Sequence, residues 1–270
     1  MNDGAIGVFD SGVGGLTCVR ELIKLMPHED IVYLGDTARV PYGTRSRHTI
    51  GRYARQDMAF LKEHRVKMIL VACGTVSSIL PELEPDSELP EVSGVVIPAA
   101  KAALRATKNK RIGVIATSAT INSGSYEKVL SSLDGTVKVT VKACPMFVPL
   151  VENGYTSPDC PPTRFFAEEY LACMKEAGVD TLILGCTHYP HLTDVISQVM
   201  GEGVGLISSG GELAKYAYET MKSQGLLSDR KENGRAELYC TDSEELFAEN
   251  VERFLGSCEN ASISKCSLKL

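Results

Sequence analysis

Eight short apolar runs, most of them β-branched, alternate along the chain with stretches of helical periodicity: Ala5–Phe9, Ile31–Leu34, Met68–Ala72, Gly94–Ile97, Ile112–Ala116, Val137–Val141, Thr181–Gly185 and Val204–Ile207. Nearly continuous runs of this kind fit strands covered on both faces. Leu16, Val19, Ile23 and Met26 recur at helical spacing after the first run, and Pro27 stops them. Further helices are expected over Ala54–Leu61, Ala99–Leu104, Phe165–Met174 and Leu213–Met221. Parallel strands need crossover helices, so the pattern predicts an α/β fold with mainly parallel sheets.

The chain also resembles itself. IGVFDSG at 6–12 parallels IGVIATS at 112–118, and MILVACGT at 68–75 parallels TLILGCTH at 181–188, at offsets of 106 and 113 residues. Two segment pairs in the same order imply two related, pseudo-symmetric α/β halves. A length of 270 residues fits two modest domains. The net charge of -6, with scattered Lys and Arg, offers no footprint for nucleic-acid phosphates. No apolar run approaches the ~20 residues that span a bilayer, and no charged leader precedes the first strand, so the expected location is the cytoplasm.

Nine cysteines without a CxxC pair give neither a disulfide framework nor a zinc motif. The question is which thiols react. Cys73 and Cys186 each follow an apolar run and a small residue, Ala72 or Gly185, and each precedes a turn that opens a helix. Ligands of α/β sheets bind beyond the carboxyl ends of the strands, where both thiols fall. A helix N-terminus is expected to acidify such a thiol, although a free cysteine is equally at home as a small buried residue. A matched pair facing each other across a cleft suits inversion of a stereocentre, with a base on one face and an acid on the other.

Around these thiols, the Gly-rich turn Asp10–Gly15 can receive an anion on its backbone N–H groups, or Asp10 can simply cap the following helix. Asp10 can also orient a base or shuttle a proton. The spacing satisfies neither a P-loop nor GxGxxG, which disfavours a nucleotide. Pro41, Tyr42 and Gly43 read as a turn carrying an amphipathic ring. His188, two residues after Cys186, can polarise that thiol or hold substrate. Glu152, in the turn Val151–Gly154, is a further candidate.

DSGVGG at 10–15, LGDTARVPYG at 34–43, ACGT at 72–75 and LGCTHYP at 184–190 together resemble the signature of the glutamate racemases within the aspartate/glutamate racemase family. The resemblance implies a first unit of residues 1–97 plus 207–270, a second of 98–206, and an active site between them. It implies interconversion of L- and D-glutamate without pyridoxal phosphate, another cofactor or metal, with Cys73 serving the D-enantiomer and Cys186 the L-enantiomer. Asp10 and His188 would support their thiols. Substrate contacts would come from Asp10, Ser11, Pro41, Tyr42, Gly43, Gly74, Thr75, Thr187 and His188, with Thr117 and Thr120 near a carboxylate. The D-glutamate would feed peptidoglycan synthesis for cell-wall biogenesis, and a homodimer is expected.

One position departs from the pattern: the family commonly has Asn where this chain has Gly74. A side-chain amide is missing, which implies an altered substrate contact. The polar segment Ser257–Leu270 reads as a disordered tail. Alternatives to glutamate racemisation are a racemase for aspartate or hydantoin, a decarboxylase using one thiol, a non-catalytic amino-acid binder and a redox-sensing thiol protein.

Overall fold

The computed structural model describes residues 4–83, 86–258 and 260–268. The chain opens with β1 (Ile6–Asp10), α1 (Leu16–Leu25), β2 (Ile31–Gly35), α2 (Arg47–Glu63), β3 (Met68–Val71), the one-turn α3 (Gly74–Ser77) and β4 (Glu91–Gly94). There follow α4 (Val96–Ala106), β5 (Arg111–Ala116), α5 (Ser118–Ser123), α6 (Ser125–Leu133), β6 (Lys138–Ala143) and α7 (Phe147–Glu152). After α8 (Pro161–Glu176), β7 (Thr181–Leu184), α9 (Thr193–Met200) and β8 (Gly205–Ser208), the chain returns through α10 (Ser209–Ser223). It closes with β9 (Ala236–Cys240), α11 (Glu244–Phe254) and β10 (Ala261–Lys265).

Among the described residues the strands form a six-stranded sheet, β10-β9-β2-β1-β3-β4, and a four-stranded sheet, β6-β5-β7-β8. Every ladder is parallel. The order β2-β1-β3-β4 recurs as β6-β5-β7-β8, so the segments that resemble one another in sequence occupy equivalent strands. β1, β2, β3 and β7 are buried at every position, which accounts for their unbroken apolar sequences. The helix α10 packs against both α1 and α4, and one continuous apolar core runs between the two sheets.

Two expectations are corrected, and one further strand carries no sequence signal. The run Gly94–Ile97 is not a strand: β4 lies at Glu91–Gly94, and Val96 begins α4. β4 is an edge strand with half-exposed positions and so lacks an apolar signature, whereas Val96, Pro98, Ala99 and Ala100 are buried on a helix face. Short apolar runs fit either element. β9 was not anticipated. The polar C-terminal segment is also structured, since β10 pairs with β9 from Ala261↔Ala236 to Lys265↔Cys240. Residues 1–3 and 269–270, at the ends of the expected first unit, and Glu259 in the expected tail lie outside the described residues.

The returning chain is fastened to the first sheet by a buried ion pair. Lys67 Nζ lies 2.6 Å from Glu29 Oε2, with side-chain exposures of 9% and 4%. The other Glu29 oxygen accepts from the Ser228 amide at 2.6 Å, and Lys67 also donates to the Leu226 carbonyl at 2.9 Å. Removing one member leaves the other buried and charged. Glu29→Ala is therefore expected to destabilise the protein by about 3–5 kcal/mol, read as a lower urea midpoint. An unchanged midpoint would contradict this role.

Candidate active site

The amide of Ala72 donates to Phe9 O at 3.0 Å, and that of Gly185 donates to Ile115 O at 2.8 Å. These bonds extend the β1–β3 and β5–β7 ladders by one step and present the next residues, Cys73 and Cys186, at equivalent strand ends. Both are buried, at 4% and 7% exposure. They line one cavity of about 390 Å³ at the carboxyl ends of both sheets. Asp10 and Ser11, Pro41 to Gly43, and Gly74 and Thr75 form its wall on the first sheet's side. Thr117, Glu152, Thr187 and His188 face them.

Thr120 stands behind this wall, 1% exposed, with its hydroxyl 3.0 Å from that of Thr117. Sequence reasoning missed Val40, Cys144, Pro145, Val148 and Pro149, which also line the cavity. Cys144 occupies the strand end equivalent to Asp36: its amide bonds Ala116 O at 3.0 Å just as the Asp36 amide bonds Asp10 O at 3.1 Å. A larger depression of about 680 Å³, beside Ile31, Arg65, Arg230 and Arg235, lies at the opposite, amino-terminal edge of the first sheet. It contains neither thiol.

The two thiols have unlike surroundings. Cys73 Sγ donates to Ser11 Oγ at 3.5 Å. Burial, and then the Asp10 carboxylate, push the Cys73 thiol up to about 12. The expected acidification by a helix N-terminus is overturned here. α3 has only four residues, and its weak dipole is outweighed by desolvation and a neighbouring negative charge. Asp10 accepts from the Gly15 amide at 2.8 Å, so the Gly-rich turn is occupied by the chain's own carboxylate.

Cys186 is followed by a turn and a 3-10 segment, Tyr189–Leu192, before α9 begins. Its Sγ lies 3.9 Å from His188 Nδ1, while His188 Nε2 lies 3.0 Å from Glu152 Oε1. Burial opposes the charge on His188, but the contacts with Cys186 and Glu152 outweigh it and raise the imidazole to about 10. Arg253 donates to the Glu152 backbone carbonyl, and the Phe254 ring meets His188 edge-on at 5.4 Å. α11 thus restrains the Glu152–His188 pair from outside the second sheet.

Tyr42 belongs to a buried polar cluster. Its hydroxyl donates to Asp36, and lies 3.1 Å from Asp57 Oδ2. Arg39 bonds Asp36 and reaches Asp57 at 2.9 Å. Burial and the adjacent Asp36 push the Asp57 carboxyl well above its usual range, against the opposing pull of Arg39 and the Tyr42 hydroxyl. The LGDTARVPYG segment therefore carries the anchors of its own turn. Among the described residues no three His, Cys, Asp or Glu side chains group as metal ligands, and no helix is long and apolar enough to cross a membrane.

Comparison with known proteins agrees with this geometry. The model of the Asp/Glu/Hydantoin racemase family matches residues 10–217. A glutamate racemase of Geobacter metallireducens is 44% identical over 253 residues, 93% of each chain. A glutamate racemase isoform of Bacillus anthracis superposes with a TM-score of 0.91 at 38% identity, covering 99% of both chains. The glutamate racemase of Francisella tularensis in complex with D-glutamate gives 0.88 at 35% identity, covering 99% of this chain and 98% of its own.

Because the His188 pKa is raised from 6.5 to about 10, its charge stabilises the fold fully below about 6.5 and ceases to do so as pH rises through about 10. NMR of the ring nitrogens should place the midpoint far above 6.5 in the native protein. In Glu152→Gln the midpoint should fall. A native midpoint near 6.5, or none of the expected drop in the variant, would contradict the assigned partners.

Proposed function

Since the chain belongs to the Asp/Glu/hydantoin racemase family and is an amino-acid racemase, we propose that it interconverts L- and D-glutamate by proton transfer at Cα between Cys73 and Cys186. One observation carries the two-thiol reading: both sulfurs line the same cavity from equivalent strand ends of different sheets. The 44% identical glutamate racemase, and the relative solved with D-glutamate, support the choice of substrate.

A thiolate on one face takes the α-proton, and the electron pair delocalises into the substrate carboxyl group. The thiol on the other face then returns a proton, so the two sulfurs exchange roles and no proton is lost. Cys186 acts on L-glutamate and Cys73 on D-glutamate in this scheme. The raised Cys73 thiol is the resting acid. Cationic His188, braced by Glu152, gives a Cys186 thiolate its counter-charge. Asp10 supports Cys73, and the hydroxyls and amides of Ser11, Gly43, Gly74, Thr75, Thr117 and Thr187 are assigned to substrate, with Pro41 and Tyr42 shaping the wall and Thr120 acting through Thr117.

The separation of residues 1–97 plus 207–270 from 98–206 belongs to the same reading; the two sheets support two units, with β8 (Gly205–Ser208) of the second sheet running two residues past 206. So do a cytoplasmic homodimer and the supply of D-glutamate to peptidoglycan synthesis. Purified protein with no added cofactor should change the circular dichroism of L-glutamate and not of L-aspartate. Cys73→Ser and Cys186→Ser should each lower racemisation by about 10²–10⁴-fold or abolish it, since each removes one acid–base partner. Undiminished turnover in either variant would refute the two-thiol mechanism.

A further inference from the structure

Gly74 follows Cys73 and Gly185 precedes Cys186, and these two glycines meet across the cavity floor. A Cβ at position 74 would lie 2.4 Å from the Gly185 carbonyl oxygen and 3.5 Å from its carbon. The obstacle is backbone, and it has little room to retreat. The Gly185 amide is bonded to Ile115 O at 2.8 Å. A Cβ on Gly185 itself would already stand 3.0 Å from that oxygen and 3.1 Å from Ala116 Cβ.

The same close approach recurs beside the second thiol. At Gly14 a Cβ would lie 2.2 Å from Thr187 Oγ1 and 2.5 Å from His188 Nδ1. Two hydrogen bonds complete the seam: Thr17 Oγ1 donates to Thr187 O at 3.1 Å, and the Thr75 and Thr117 hydroxyls are 3.2 Å apart. The two halves therefore touch where side chains are missing, immediately beside both sulfurs.

We propose that Gly74 sets the spacing of the two thiols, because its missing side chain lets the halves close backbone to backbone. This rests on the racemase reading and concerns where that reaction's precision comes from. To restore an ordinary carbon–oxygen contact, any Cβ at position 74 must open the seam by about 1 Å. Asparagine, the residue the family commonly carries here, meets the same carbonyl, so in this chain the family's residue is the wrong one. Removing the α-proton needs one thiol, whereas inversion needs both within reach. Opening the seam consequently harms inversion more than exchange.

The test follows Gly74→Ala and Gly74→Asn with L-glutamate in deuterated water, reading α-proton exchange by NMR and inversion by circular dichroism. Inversion should fall by about 10²-fold, the cost of a 1 Å misplacement. Exchange should fall less, so that deuterium enters L-glutamate with retention, and thermal unfolding should remain cooperative. Unchanged inversion, equal loss of exchange and inversion, or loss of cooperative unfolding would each overturn the proposal. The unaltered protein is measured alongside. If it fails to racemise glutamate, the functional reading falls and this inference with it; if it is active and the variants behave in one of the three contrary ways, this inference alone falls.

Discussion

Two backbone hydrogen bonds, Ala72 N–H to Phe9 O and Gly185 N–H to Ile115 O, fix where the thiols stand. Each is the last rung of a parallel ladder between strands buried throughout, apart from Arg111 at the start of β5. Parallel pairing sends all carboxyl ends of a sheet to one side, and the chain must turn there to enter a crossover. A cysteine one residue past such a rung is held by the stiffest part of the fold rather than by a loop. Two sheets of matching strand order, set with these ends facing one cavity, bring two strand-end thiols to the lining of the same cavity.

The frame is nearly symmetric, but its charges are not. Cys73 shares its pocket with the Asp10 carboxylate, and burial leaves it a neutral thiol. Cys186 has an imidazole at 3.9 Å whose far nitrogen is tied to Glu152. Similar strand ends thus acquire opposite electrostatic partners, because the residues that follow each strand come from different turns. The same economy appears in the first half, where Arg39, Asp36 and Asp57 hold the Tyr42 hydroxyl and keep a polar cluster satisfied inside an apolar core.

The glycines at the seam show how the two halves are brought into register. Gly14 and Gly74 each admit backbone or polar atoms where a Cβ would collide. α10, packed on α1 and α4, and the Lys67–Glu29 pair under the returning chain hold the remainder of the contact together. Precision at the cavity is therefore supplied partly by absent side chains and partly by buried contacts distant from it.

Much of this was legible in the sequence. Buried parallel strands need apolar residues on both faces, so β1, β2, β3, β5, β7 and the matching pair of Cys-ended runs announced themselves, and with them the α/β class. Strands at or next to a sheet edge carry less of that demand: β4 and β10 are edges, β9 lies one strand in with alternating burial, and ladder pairing alone reveals all three. Strand-end position marked Cys73, Cys186, Asp10 and His188, and the resemblance to a known signature added further substrate contacts, yet neither indicated that Thr120 stands behind Thr117 or that Cys144 lines the wall. Thiol acidity was misjudged because sequence shows the helix that follows Cys73 but not the burial and the Asp10 charge that outweigh it. Sequence determined the buried strands, the turns and the candidate acid–base groups, since these follow from local chemistry. Tertiary structure decided which groups face one another, how far apart, and which stay charged, since distance and desolvation exist only once the two halves have closed.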